Sequence, residues 1–197
     1  MTTEGPTDGT QVRLPDADAT RAWGRALADV LRAGDLVVLT GDLGAGKTTL
    51  TQGLGAGLHV RGQVASPTFV IAREHPPLPR PDGTRGPALV HVDAYRLGSL
   101  DEVEALDLDA ALDEAVTVVE WGEGWVEGLT DDRLELRLAR PHGGVADDVE
   151  DAAAGERVLT VRAVGARWDG VALPGADAVG LTDAADLTDE QHEGRGH

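Results

Sequence analysis

Nine consecutive residues in the first third of the chain have the types and spacing of a phosphate-binding loop. The segment from Gly41 to Thr49 reads GDLGAGKTT and contains the pattern G-x-x-x-x-G-K-[ST]. Its glycines allow the backbone to curl until successive N–H groups point into one concavity, which suits an anion. Lys47 adds a mobile positive charge for the outer phosphates, and the Thr48 hydroxyl can ligate a magnesium ion. The segment therefore predicts a site for nucleotide phosphates and magnesium.

The sequence on both sides of this loop predicts a strand before it and a helix after it. The run DLVVLT, residues 35–40, is apolar and β-branched, which is typical of a buried strand. Leu50 and Leu54 recur four residues apart, as on a helix whose positive end points at the loop. This context favours the phosphate loop of P-loop NTPases over a glycine-rich turn that binds nothing. The loop residues expected to contact the nucleotide are Gly41, Asp42, Leu43, Gly44, Ala45, Gly46, Lys47, Thr48 and Thr49.

Two acids follow hydrophobic strands and can complete a catalytic site. The run ALVHVD ends in Asp93, and VTVVE ends in Glu120. In such folds the acid that holds magnesium, and the group that orients the attacking water, lie at strand ends beside the loop. Asp93 and Glu120 are therefore predicted to be catalytic with Lys47, and to be candidate metal ligands with Thr48. Spacing alone leaves open which acid contacts the metal and which positions the water.

A hydroxyl-bearing segment, Ser66 to Thr68, lies between the predicted loop helix and the next strand. It can sense the terminal phosphate, as switch segments do, or form an ordinary Ser-Pro turn. The six histidines are scattered without ligand spacing, so none is assigned to a metal. Trp121 and Trp125 are expected to pack rather than to stack on a base.

Composition excludes several classes of protein. The 197 residues include no cysteine, so a disulfide framework and a thiolate metal site are both impossible. The chain opens without a leader pattern, and no apolar run approaches the roughly 20 residues of a membrane span, so a cytoplasmic protein is expected. A net charge of −18 disfavours direct nucleic-acid binding. If RNA is involved, another subunit is expected to hold most of it.

The order of the predicted elements favours one α/β domain with a mainly parallel central sheet and antiparallel strands near its end, a P-loop NTPase-like three-layer sandwich. A helix is predicted from Asp16, its cap, to Ala33, with Gly34 ending it, and another after Ser99. Besides the strand before the loop, strands are predicted at 11–15, within 66–75, and at 88–93, 116–121, 133–140 and 156–165. We expect residues 1–10 to be disordered, 11–165 to form the domain, and 166–197 to form a disordered acidic tail.

Four blocks together resemble a known family: GDLGAGKTTL, SPTF, HVDAYRL and VEWGE, in this order and at these distances. They resemble the TsaE (YjeE) family, the ATPase component of the bacterial machinery that makes threonylcarbamoyladenosine on tRNA next to the anticodon. The resemblance implies a compact P-loop α/β fold, ATP and Mg²⁺ as cofactors, and slow hydrolysis unless partners are present. The implied partners are the TsaB and TsaD subunits, with tRNA contacted only indirectly through that complex.

The site residues that match the family's motifs are all present: Lys47, Thr48, Thr68, Asp93 and Glu120. The resemblance assigns Lys47 and Thr48 to phosphate and magnesium, and it assigns Thr68 to a switch-like role. Two features depart from the family pattern. The proline-rich loop from His75 to Pro87 is longer than usual, and the acidic tail after Gly165 has no counterpart.

A small-molecule or nucleoside kinase is the alternative function. Such kinases usually need a lid whose arginines close on the phosphates. The only loop long enough is the one from His75 to Pro87, with Arg80 and Arg85. A guanine-reading N-K-x-D motif is missing, because Lys47 is the only lysine in the chain.

Overall fold

A seven-stranded mixed sheet is the centre of the structure, a computed structural model that describes residues 9–65, 72–96, 113–140 and 155–175. Its strands are β1 Thr10–Leu14, β2 Leu36–Gly41, β3 Ala72–His75, β4 Ala88–Asp93, β5 Ala115–Glu120, β6 Arg133–Ala139 and β7 Arg157–Val164. The α-helices of the described residues are α1 Ala17–Leu27 and α2 Lys47–Leu58. Short 3-10 turns follow β4 and β7, at Ala94–Arg96 and Ala166–Trp168.

The strand order is β1-β7-β6-β2-β5-β4-β3. Strands β6, β2, β5 and β4 run parallel, while β7 and β1 on one side and β3 on the other pair antiparallel. The predicted α/β class with a mainly parallel central sheet is therefore confirmed, and its antiparallel strands lie at both edges. The predicted pairing of the strands around residues 72–75 and 88–93 is also confirmed.

Parallel pairing places the carboxyl ends of β2, β4 and β5 next to one another. Asp93 lies opposite Glu120, and Glu120 lies opposite Leu39, two residues before Gly41. Because parallel strands share one direction, their carboxyl ends meet where the phosphate loop leaves β2. Both predicted acids therefore lie on strands whose carboxyl ends adjoin the loop.

Alternate residues of β2 enter two different cores, since the side chains of a strand alternate between its faces. Val37 and Leu39 join the core that contains α1 and α2, while Leu36 and Val38 join the core on the other face. In the described part of the chain both helices lie on the first face, and residues 121–129 pack on the second. The helix predicted after Ser99 lies outside the described residues.

Helix α1 begins as the sequence predicts but ends six residues early, at Leu27 instead of Ala33. The Asp16 side chain caps it by accepting from the Ala19 amide at 2.8 Å. Beyond Leu27 the backbone changes to turn-type bonds, such as that from the Val30 amide to the Leu27 carbonyl. The apolar spacing continues across this change because the turn residues still pack on the core, so the pattern did not reveal where the helix ends.

Glycines bring α1 and α2 into backbone contact. A Cβ atom added at Gly24 would lie 2.3 Å from the Leu50 carbonyl oxygen, and one added at Gly53 would lie 2.1 Å from that of Arg21. No real side chain tolerates such distances, so both positions require glycine. Since α2 starts at the phosphate loop, this contact fixes the helix that carries Lys47 and Thr48.

Replacing Gly53 with alanine is expected to destabilise the protein. The new methyl group would overlap the α1 backbone, and overpacking of this kind costs about 1–3 kcal/mol in the free energy of unfolding. In a domain of this size that corresponds to a fall in Tm of about 2–10 °C. Thermal unfolding measures it, with Gly128→Ala as the control, because a Cβ at Gly128 meets nothing within 4 Å. Equal Tm values for the two variants would contradict the close contact.

The segment just after β7 packs on the domain. Trp168 is buried, Val171 and Leu173 pack against the helical core, and the Trp23 indole donates to the Pro174 carbonyl at 3.0 Å. The predicted boundary after Gly165 is therefore too early, by at least nine residues. The composition of this stretch resembles that of a tail, but its few large side chains bind the core.

Other predictions fall outside the described residues. They concern the Ser66 to Thr68 segment, the first eight residues and the stretch from 176 to 197. Among the helices that the structure describes, none has the length and apolar character needed to cross a membrane.

Candidate nucleotide-binding site

The phosphate loop joins β2 to α2 and exposes its tip. Leu43 is 86% exposed there, with Asp42 and Gly44 also exposed, while Ala45 is buried beneath them. Gly46 caps the helix with φ at +107°, a conformation that L side chains rarely adopt. Because the cap is a glycine, it makes no side-chain hydrogen bond to the first amides of α2.

Lys47 is buried, and its ammonium group lies inside the loop. Its Nζ donates to the Gly41 carbonyl at 2.8 Å and to the Asp42 carbonyl at 3.0 Å. The same atom lies 3.9 Å from the ring centroid of Trp121, a cation–π distance. The lysine predicted to bind phosphate is thus held within the loop by its own chain and by one aromatic ring.

Opposing effects act on the charge of Lys47. Burial is the largest and lowers the pKa of Lys47 from its ordinary value, because it penalises the ammonium form. The carboxylates of Glu120, Asp93 and Asp42 oppose this shift, in decreasing order. The acids and the lysine are therefore close enough to interact.

Glu120 is the best-connected acid of the site, and it is buried. The Thr48 hydroxyl donates to its Oε1 at 3.1 Å and lies 3.4 Å from its Oε2. His91 Nε2 lies 2.8 Å from Oε1. The predicted magnesium threonine and one predicted acid are therefore in direct contact.

Asp93 lies beside Glu120 but is less enclosed. Its Oδ1 accepts from the Tyr95 amide at 3.1 Å, which starts the turn after β4. The exposed Tyr95 ring packs against Trp121 with centroids 5.2 Å apart. Trp121 itself has φ at +63°, unusual for a bulky residue. That conformation accompanies the ring's position beside Lys47, just after β5.

In the part of the chain that the structure describes, Arg140 and Arg157 contact the loop. Arg140 Nη2 donates to the Gly44 carbonyl at 2.9 Å, and Arg157 Nε approaches the Ala45 carbonyl at 3.4 Å. Burial, and then the nearby charge of Arg140, lower the pKa of Arg157. Both contacts hold carbonyl oxygens, which orients the adjoining peptide units.

The donor set fits magnesium better than a softer metal. Thr48, Glu120 and Asp93 offer only oxygen atoms, which Mg²⁺ prefers. Across the described ranges, no cluster of three or more His, Cys, Asp or Glu side chains could hold a metal ion. A magnesium ion here would therefore depend on the phosphate oxygens of a nucleotide for further ligands.

The structure brings four of the predicted site residues together. Lys47, Thr48 and Glu120 form one connected group, with Asp93 on the strand beside it. Thr68 lies outside the described residues, so its role stays a prediction. Sequence reasoning missed His91, although alternate residues of a strand share a face and Asp93 is two residues further on. It also missed both loop arginines, for which the sequence offers no local signal.

The family of the chain follows from comparison with known proteins. A family model described as "Threonylcarbamoyl adenosine biosynthesis protein TsaE" matches residues 14–145. The chain belongs to the TsaE family. The resemblance seen in the four sequence blocks is thereby confirmed.

Relatives from several bacteria support the TsaE assignment. The "tRNA threonylcarbamoyladenosine biosynthesis protein TsaE" of Streptomyces coelicolor is 62% identical over 149 residues, covering 75% of this chain and 93% of that protein. The Bacillus subtilis protein of the same name is 37% identical over 158 residues, covering 80% of this chain and 87% of that protein. The crystal structure of Bacillus subtilis YdiB matches with a TM-score of 0.58 and 31% identity, covering 82% of this chain and 90% of that one.

Proposed function

We propose that this TsaE-family chain binds ATP with magnesium and hydrolyses it slowly, in support of threonylcarbamoyladenosine modification of tRNA next to the anticodon. In this proposal it acts on a complex of TsaB and TsaD subunits and contacts tRNA only through them. The observation that carries the proposal is the contact of Thr48 with Glu120 beside Lys47. A phosphate loop alone would support binding, whereas an acid against its magnesium residue supports turnover.

Each residue has a distinct part in the proposed reaction. Loop amides and the start of α2 bind the phosphates, and Lys47 exchanges its carbonyl partners for phosphate oxygens. Magnesium, when bound, supplies positive charge that stabilises the charge developing on the phosphates. Thr48 would hold the magnesium ion, and Glu120 is the better-placed acid to assist because it contacts Thr48. Asp93, the more accessible acid, is then the candidate for orienting the attacking water.

The kinase alternative loses its structural support. The loop from His75 to Pro87 leads into the start of β4, so it lies at the amino ends of the parallel strands. The phosphate loop lies at their carboxyl ends. Its arginines, Arg80 and Arg85, line a cavity of about 750 Å³ with Leu58, the last residue of α2, and Glu114, which precedes β5. Arginines placed there cannot form a lid over phosphates bound at the start of α2.

The rate of ATP hydrolysis, measured with and without the TsaB–TsaD pair of the same organism, tests the proposal. We expect slow, magnesium-dependent phosphate release by the isolated chain. The rate should increase when the pair is added, because the proposed function is to act on that complex. TsaB alone and TsaD alone are the controls. An absence of stimulation by the pair would argue against action on that complex, and an absence of hydrolysis in every mixture would argue against an ATPase.

A further inference from the structure

A buried histidine contacts the central acid of the site and has no part in the function proposed so far. His91 lies on β4, and none of its surface is exposed. Its Nε2 is 2.8 Å from Oε1 of Glu120, which is itself only 3% exposed. The pair lies on the face of the sheet that carries α2, with His91 two residues before Asp93 on β4 and Glu120 at the end of β5.

The partners of the two side chains determine which atom carries the proton. An ionised carboxylate only accepts hydrogen bonds, so His91 must donate from Nε2. Among the described residues, His91 Nδ1 has no hydrogen-bond partner. A buried N–H group without a partner costs more than a bare lone pair. Hydrogen on Nε2, with Nδ1 left bare, therefore fits the contact with Glu120.

The neighbouring histidine provides no competing donor. His75 lies on β3, diagonal to His91, on the same face of the sheet. Its Nδ1 lies 3.2 Å from the Arg61 carbonyl, which can only accept, so Nε2 carries no hydrogen in the neutral ring. Burial lowers the pKa of His75, which favours that neutral ring. His75 therefore cannot donate a hydrogen bond to His91, and it does not compete with Glu120 for the orientation of the His91 ring.

The geometry points to His91 as a positioning residue for Glu120, an inference that rests on the proposed ATPase function. Oε1 accepts from both His91 and Thr48, whereas within the described residues Oε2 has only the longer contact with Thr48. His91 therefore fixes the rotation of the carboxylate and leaves Oε2 as the oxygen available to magnesium or to its bound water. A fixed orientation spares the site from reorganising during the reaction.

Three variants test this inference by steady-state hydrolysis. His91→Leu removes the donor and is expected to lower kcat by about 10- to 100-fold, the usual effect of losing such a supporting bond, with KM for ATP changed less than about threefold. His91→Gln can still present an N–H group to Glu120 and is expected to recover most of kcat. His75→Leu, the matched control, removes a neighbouring buried imidazole and is expected to change Tm but not kcat.

A second measurement on the unmodified protein keeps the inference testable if His91→Leu does not fold. ¹⁵N NMR of the imidazoles should show hydrogen on Nε2 of His91 and none on Nδ1. The opposite tautomer would overturn the inference, as would wild-type kcat in both His91 variants. If the wild-type chain hydrolyses no ATP, the proposed function fails, and the NMR result alone decides whether His91 holds Glu120.

Discussion

Lys47→Ala is expected to abolish measurable ATP hydrolysis and to weaken ATP binding by about 100-fold or more, since charge-assisted bonds to phosphate contribute about 1.5–3 kcal/mol each. The positive charge of the side chain interacts with Glu120 and Asp93, and its Nζ already lies among the loop carbonyls. Its loss removes the charge on which the outer phosphates depend. Calorimetric titration with ATP and phosphate release measure the two effects.

The control for Lys47→Ala is Arg162→Ala, which also removes one positive charge. Arg162 lies on β7 with its side chain 55% exposed and pairs with Glu135, away from the loop. Affinity and rate should stay within about twofold of wild type, because a screened surface pair contributes little. If Lys47→Ala and Arg162→Ala bind ATP equally well, Lys47 does not hold phosphate and the loop assignment fails.

Glu120→Gln is expected to keep ATP affinity within about threefold of wild type and to lower hydrolysis by about 100-fold or more. The amide preserves the shape of the side chain but loses the negative charge that Thr48 and His91 now face. Asp93→Asn should also lose turnover while still binding ATP. Phosphate release and nucleotide titration separate the two quantities.

Magnesium titration of both acid variants assigns their roles. If Glu120 contacts the metal and Asp93 the water, only Glu120→Gln should need more magnesium for half-maximal rate. Glu123→Gln is the matched control, because Glu123 is an exposed acid three residues after Glu120. Loss of ATP binding as severe as in Lys47→Ala, in either acid variant, would contradict a catalytic role for that acid.

A few neighbouring residues in the sequence were enough to locate the candidate site residues that lie directly at the end of a strand. The phosphate loop follows β2 directly, and Asp93 and Glu120 each end a hydrophobic run, so a pattern of a few residues locates them. His91 was not recognisable in this way. It is one histidine in an apolar strand, and Glu120, the residue that it contacts, is 29 residues later in the sequence.

Long-range packing accounts for the remaining differences in the fold. Trp23 binds the Pro174 carbonyl across 151 residues, so composition near the end of the chain could not show that the segment packs. Nor could glycine content show that Gly24 and Gly53 face one another's helix backbones. Both depend on distances that exist only after the sheet has formed.

The residue-by-residue pairing of Asp93 with Glu120 makes the site far less tolerant of insertions and deletions than of substitutions. A single inserted residue within β4 or β5 would turn every later side chain of that strand to the opposite face. One acid would then point away from Lys47, even if every motif letter were kept. The loop from His75 to Pro87 precedes β4, at the amino ends of the parallel strands. Added length there does not change the pairing of β4 with β5. Length variation in relatives should therefore concentrate there.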